Sequence, residues 1–100
     1  DLVQEMKETI GDTPCFLSFD IDFVDPSFAP GTGTLEVGGF SSRETLEIVR
    51  SLTDFNYVGF DLVELIPAYD PTQITALLAA TLVHDFASIV ALKEKRKAQN

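Results

Sequence analysis

The chain has 100 residues, 45% of them hydrophobic and 23% charged, a balance that excludes a disordered polymer and fits one small packed domain or a piece of a larger one. Sixteen acidic residues against seven basic ones give a formal net charge of −9, which argues against nucleic acid as the main partner, because phosphate binding needs a basic face. The same charge suits cationic ligands or metal ions, or serves solubility alone.

Along the chain, Leu2, Val3, Met6 and Ile10 recur at helical spacing and Gly11 is a natural stop, so residues 1–10 are predicted as a helix. The chain opens inside that helix without Met or a signal-like stretch, and upstream sequence is expected to belong to the same protein. Cys15 is the single cysteine, which excludes an internal disulfide, and its apolar surroundings predict a buried core thiol. The short apolar run over residues 14–21 reads as a strand. From Asp25 to Gly39 the chain is rich in Pro and Gly, the mark of a long structured loop, and such loops in compact domains are usually functional.

Ser41 with Glu44 forms a capping-box pattern opening a helix over 42–53, with Leu46, Ile48, Val49 and Leu52 on its buried face. A second apolar strand is predicted over 57–64, and Pro67 ends it. Two apolar strands joined by a helix make a βαβ unit of a parallel sheet. Asp70, Pro71 and Gln73 read as N-cap, first-position proline and reciprocal cap of a helix over 71–95. Its apolar residues, from Ile74 and Leu77 to Ile89 and Leu92, cover more than one stripe and predict packing on two sides. The basic tail Lys93, Lys95, Arg96 and Lys97 lies where the helix dipole favours positive charge. No apolar run approaches the roughly 20 residues a membrane helix needs, so a cytoplasmic protein without a membrane partner is expected. Two parallel strands do not make a stable open sheet alone. Residues 1–100 therefore read as the C-terminal part of one larger α/β domain.

The chemistry concentrates in Ser18-Phe19-Asp20-Ile21-Asp22-Phe23-Val24-Asp25-Pro26, three carboxylates within six positions after an apolar strand. Carboxylates this close repel one another and resist burial unless a positive charge lies among them. Asp20 and Asp22 are two apart, so on a continuing strand they share one face at its carboxyl end, where open α/β sheets place ligands. A metal ion fits this cluster, and so do solvated carboxylates acting as turn formers. An EF-hand does not: Asp25 falls one place late, no Gly follows it, and Phe23 and Val24 are apolar.

This first block, together with Ala29-Pro30-Gly31-Thr32-Gly33-Thr34, Gly38-Gly39, Ser42-Arg43-Glu44, Asp61-Leu62-Val63-Glu64-Leu65 with Pro67, and Thr75-Ala76, resembles the arginase/agmatinase (ureohydrolase) family over about residues 13–92. The resemblance implies a three-layer, parallel-sheet α/β domain and a binuclear Mn²⁺ hydrolase that cleaves a guanidinium C–N bond to release urea. It places a bridging metal ligand at Asp20, a second metal ligand at Asp22, and at Glu64 the catalytic acid that binds and orients the guanidinium through charge-assisted hydrogen bonds. Asp25 and the loop from Gly31 to Gly39 take loop-shaping roles. The loop through Glu36 and the segment through Tyr69 look closer to agmatinases, so agmatine cleaved to putrescine and urea is the expected reaction, in the service of polyamine biosynthesis. Arginase and guanidinobutyrase chemistry are the neighbouring alternatives. Leu35 departs from the family, which usually has Pro there. The family's two upstream histidine-bearing ligand motifs do not occur in these 100 residues, so the chain alone is expected to be inactive. The only histidine, His84, matches no family ligand and is expected to face solvent or pack. The resemblance also implies a homo-oligomer, trimer or hexamer. Two other classes stand beside this reading. One is a phosphoryl-transfer nucleophile loop, disfavoured because the only later lysines are in the terminal tail. The other is a non-catalytic fragment or paralogue that keeps only fold and oligomer contacts.

Overall fold

A computed structural model describes residues 1–99. Helix α1 spans Leu2–Ile10, strand β1 Cys15–Asp20, helix α2 Ser42–Ser51, strand β2 Tyr57–Val63 and helix α3 Ile74–Gln99, with short 3₁₀ turns at Ile21–Phe23 and Pro67–Tyr69. The two strands pair in parallel, and from Phe16 onward the register runs Phe16 with Gly59, Leu17 with Phe60, Ser18 with Asp61, Phe19 with Leu62 and Asp20 with Val63. Val58 is the extra residue at an irregularity between Cys15 and Phe16. This is the parallel α/β unit expected from the apolar strands and the helix between them.

Alternation along the ladder divides the sheet into two faces. Leu17, Phe19, Phe60 and Leu62 turn toward the core built by Ile21, Val24, Ala29, Val49, Leu78, Leu82 and Phe86. Phe60, itself partly buried, stacks on the buried Phe86 at 5.3 Å between ring centroids, and a fully buried side chain such as that of Phe86 contributes about 1.5–3 kcal/mol. On the other face Ser18 donates to Asp61 across the ladder at 2.6 Å, and Phe16 is 58% exposed. Among the described residues, the helices cover only the first face.

Helix α2 is fixed as its sequence predicts. The Ser41 hydroxyl accepts from the Glu44 N–H at 3.1 Å, and the Ser41 N–H donates to the Glu44 carboxylate at 3.0 Å, a complete capping box. The helix stops at Ser51 rather than 53. Leu52 caps it, and the Leu52 carbonyl accepts from the Tyr57 hydroxyl at 2.6 Å. Partial burial pushes that phenol up to about 12. Arg50 then ties α2 to α3 through Asp85 at 2.9 Å.

Three expectations change here. Helix α3 begins at Ile74, not 71, because the Asp70 carboxylate takes the Thr72 and Thr75 amides into a turn that leaves Gln73 left-handed, with φ 64°. It also packs on one side rather than two: Thr75, Leu78, Ala79, Leu82 and Phe86 are buried, while Leu77 is 69% and Leu92 50% exposed. By length and composition α3 is apolar enough to cross a membrane, although His84 and Asp85 interrupt its runs. A stripe of it, Leu78, Ala79, Leu82 and Phe86, is buried in the protein's own core. Cys15 is only partly buried, at the edge of a hollow that Met6 and Ile10 of α1 also line. His84 faces solvent, its side chain 81% exposed.

Asp70 gives the fold a pH dependence with a definite sign. Hydrogen bonds from Thr72, then Thr75, hold its carboxyl down from 3.8 to about 2. A carboxyl depressed by folding stabilises the native state above the unfolded value and loses that contribution as pH falls through the folded one. The stability advantage of the wild type over Asp70→Asn is therefore expected to shrink as pH drops from about 4 to about 2. Thermal midpoints of the two proteins across that window check it; a constant difference would contradict it.

Candidate functional site at the carboxyl ends of the strands

Strand β1 ends at Asp20, one residue before the predicted boundary, and the reason lies in Asp20 itself. Its carboxylate accepts from the Asp22 N–H at 3.0 Å and so caps the 3₁₀ turn Ile21–Phe23. Asp20 and Asp22 thus come together around a capped turn, not by alternation along a continuing strand as their spacing predicted. Ile21 between them is fully buried and anchors the turn in the core.

The following loop is built around Asp25. One carboxylate oxygen accepts from the Ser27 N–H at 2.8 Å, the other from the Gly38 N–H at 3.1 Å, and these bonds, those of Ser27 first, hold the carboxyl below its ordinary 3.8. Val24 and Phe40 form an isolated parallel bridge, and the Phe23 and Phe40 rings stack at 4.4 Å. Gly39 is required where it passes: a Cβ there would lie 2.9 Å from the Asp25 nitrogen and the Phe23 carbonyl oxygen. Asp25 has the loop-shaping contacts expected of it. Leu35 is 55% and Val37 87% exposed at the loop's outer turn.

Glu64 follows the last residue of β2, Val63, which is paired with Asp20. The predicted strand included Glu64, but its φ of 70° takes it out of the ladder. A left-handed backbone at a non-glycine residue is uncommon, and such strain persists only where the surroundings enforce it, often at functional sites. Glu64 is exposed in this chain.

Partial burial pushes the Asp22 carboxyl up from 3.8, and the hydrogen bond and charge of Asp20 act in the same direction, followed by the charges of Glu64 and Glu36. Glu36 is the acidic neighbour that sequence reasoning missed: it lies 14 positions beyond Asp22 (36 − 22), a separation only the loop's path can close. Among the described residues no three His, Cys, Asp or Glu side chains gather closely enough to hold a metal ion by themselves. The donors present are hard carboxylate oxygens whose mutual repulsion a divalent cation would relieve, and they fit part of the coordination shell of an ion such as Mn²⁺.

Acidic side chains gathered at the carboxyl ends of paired parallel strands define the ligand-binding edge of an α/β domain. A sequence model of the arginase family matches residues 1–88. Agmatinase of Escherichia coli O1:K1 is 50% identical over 94 residues, which are 94% of this chain and 31% of that protein. Among solved structures, a hypothetical agmatinase from Burkholderia thailandensis superposes with TM-score 0.88 at 42% identity, covering 94% of this chain and 30% of the other. Proclavaminate amidino hydrolase from Streptomyces clavuligerus superposes with TM-score 0.76 at 45% identity, covering 84% and 28%. The chain belongs to the arginase family, and it spans just under a third of the length of the curated relatives it matches.

Proposed function

We propose that this chain contributes Asp20 and Asp22 as ligands, and Glu64 as the guanidinium-orienting acid, to a binuclear Mn²⁺ ureohydrolase, with agmatine as the substrate and putrescine and urea as products. The observation that supports it is the placement of Asp20, Asp22 and Glu64 at the carboxyl ends of two paired strands, with the charges of Asp20 and Glu64 both acting on Asp22, in a chain 50% identical to an agmatinase over 94 residues. The chemistry supplied by the metal pair when bound is Lewis acidity that makes water nucleophilic at neutral pH. The chain's own residues bind and orient. Asp20 and Asp22 present anionic oxygens, and Glu64 presents a carboxylate able to take two parallel N–H bonds from a planar guanidinium. The remaining ligands come from outside these 100 residues, and the chain alone is inactive.

A second reading keeps the reaction and changes the substrate: another guanidino compound, favoured by the 45% identity to proclavaminate amidino hydrolase. Urea release from agmatine, arginine and guanidinobutyrate by the Mn²⁺-loaded full-length protein carrying this segment separates them. The expected order places agmatine first. Preference for another guanidino compound transfers the assignment to the second reading, and no urea from any compound by a metal-replete protein overturns both.

A further inference from the structure

We propose that Thr75, held by Asp70, is a positioning residue that fixes Glu64 through the Pro30–Thr34 loop; the catalytic consequence rests on the role proposed for Glu64. The chain of contacts is short and buried. Asp70 and Thr75 are 3% and 0% exposed. The Thr75 hydroxyl donates to the Asp70 carboxylate at 2.8 Å and accepts from the Gly31 N–H at 2.8 Å, which uses its one proton and one of its lone pairs. The Thr75 N–H donates to the same carboxylate oxygen at 2.7 Å, so both the backbone and the side chain of Thr75 are tied to Asp70. Gly31 passes close to this pair: a Cβ would lie 3.0 Å from the Thr75 Cβ and Oγ1 and 3.2 Å from the Asp70 Cβ, tighter than ordinary van der Waals contact.

From Gly31 the path reaches the acid. The Gly31 carbonyl accepts from the Ile66 N–H at 2.7 Å, and Gly33 lies against the Ile66 side chain, where an added Cβ would be 3.2 Å from Cδ1. Ile66 is two residues past Glu64. On its other side Glu64 is joined to Val63, which pairs with Asp20. Glu64 is therefore stretched between two fixed points, the ladder beside Asp20 and the Gly31–Ile66 bond. A residue so held can keep φ at 70°, a conformation it would leave if either end were freed. The latch thereby sets the Glu64 carboxylate relative to Asp20 and Asp22, and a displacement of about 1 Å there is enough to cost on the order of 100-fold in rate.

Thr75→Val keeps the shape and removes both hydroxyl bonds, whereas Thr75→Ser keeps the bonds and removes a methyl. In the full-length, Mn²⁺-loaded protein, Thr75→Val is expected to lower kcat/KM for agmatine by about 10- to 100-fold with metal content unchanged, and Thr75→Ser to restore it. Amide hydrogen exchange gives a readout independent of activity: Gly31, Ile66 and Glu64 should exchange faster in Thr75→Val and at the wild-type rate in Thr75→Ser. Unchanged exchange at Glu64 overturns the latch even if Gly31 is freed. Loss of metal together with activity overturns it as well, because the contact would then support Asp20 and Asp22 instead. If the wild type neither binds Mn²⁺ nor releases urea, the proposed function fails, and the exchange at Glu64 still decides the latch.

Discussion

Asp20→Asn and Asp22→Asn are each expected to lose metal and to reduce urea release by more than the roughly 100-fold that loss of a supporting contact around a metal costs. The amide is the informative replacement at Asp20. Its carbonyl oxygen can still accept from the Asp22 N–H, so the capped turn Ile21–Phe23 survives while one anionic ligand becomes neutral. A hard divalent cation prefers charged oxygen donors, and neutralising one weakens its hold without removing an atom. At Asp22 the change also relieves repulsion: this carboxyl carries the unfavourable influence of Asp20, Glu64 and Glu36. Asp22→Asn is therefore expected to fold at least as stably as the wild type without metal, while binding metal less well. Loss of activity with improved or unchanged metal-free stability is the pattern of a binding site. Equal activity in the amide variants, assayed at limiting metal, would contradict it.

Glu64→Gln is expected to leave metal content intact and to lower kcat/KM for agmatine by about 100-fold. The estimate follows from the amide offering one acceptor oxygen where the carboxylate offers two: one charge-assisted hydrogen bond to the guanidinium, worth about 1.5–3 kcal/mol, is lost and the other becomes a neutral one worth about half as much. Glutamine fills the same space beyond the left-handed backbone of residue 64, so the contrast isolates charge from shape. Metal analysis and steady-state kinetics on the same preparation check it. A parallel fall in metal content and activity would remove Glu64 from the substrate and assign it to the metal.

Local signals were legible wherever partners lie close in sequence. The capping box of α2 joins residues three apart and forms as predicted. The strands declare themselves by apolar runs, and their parallel pairing follows from the intervening helix. The acidic block at Asp20 and Asp22 was equally plain, and so was the resemblance to the family to which the chain belongs. What spacing could not give was the local conformation. The turn after Asp20 replaces strand alternation because a side-chain oxygen competes for the backbone amide two residues on. The late start of α3 has the same origin, since Asp70 draws the Thr72 and Thr75 amides before the helix can begin.

Non-local contacts were hidden for a different reason. The bond between Gly31 and Thr75 spans 44 residues, and nothing in either segment names its partner. Glu36 approaches Asp22 only through the path of a loop that Asp25 ties back on itself. The one-sided burial of α3 also departs from its pattern, because Leu77, Val83 and Leu92 are apolar yet exposed in this chain. Buried Thr32 leaves its hydroxyl without a hydrogen-bond partner among the described residues; no sequence signal marks that.

The central claim is that Asp20 and Asp22 hold metal, and its most direct measurement is elemental analysis of the full-length protein carrying this segment beside its Asp20→Ala, Asp22→Ala double variant. Both are purified after identical loading with Mn²⁺ and confirmed folded by circular dichroism. The prediction is two manganese ions per wild-type subunit and far fewer in the variant. Equal manganese in the two proteins would contradict it.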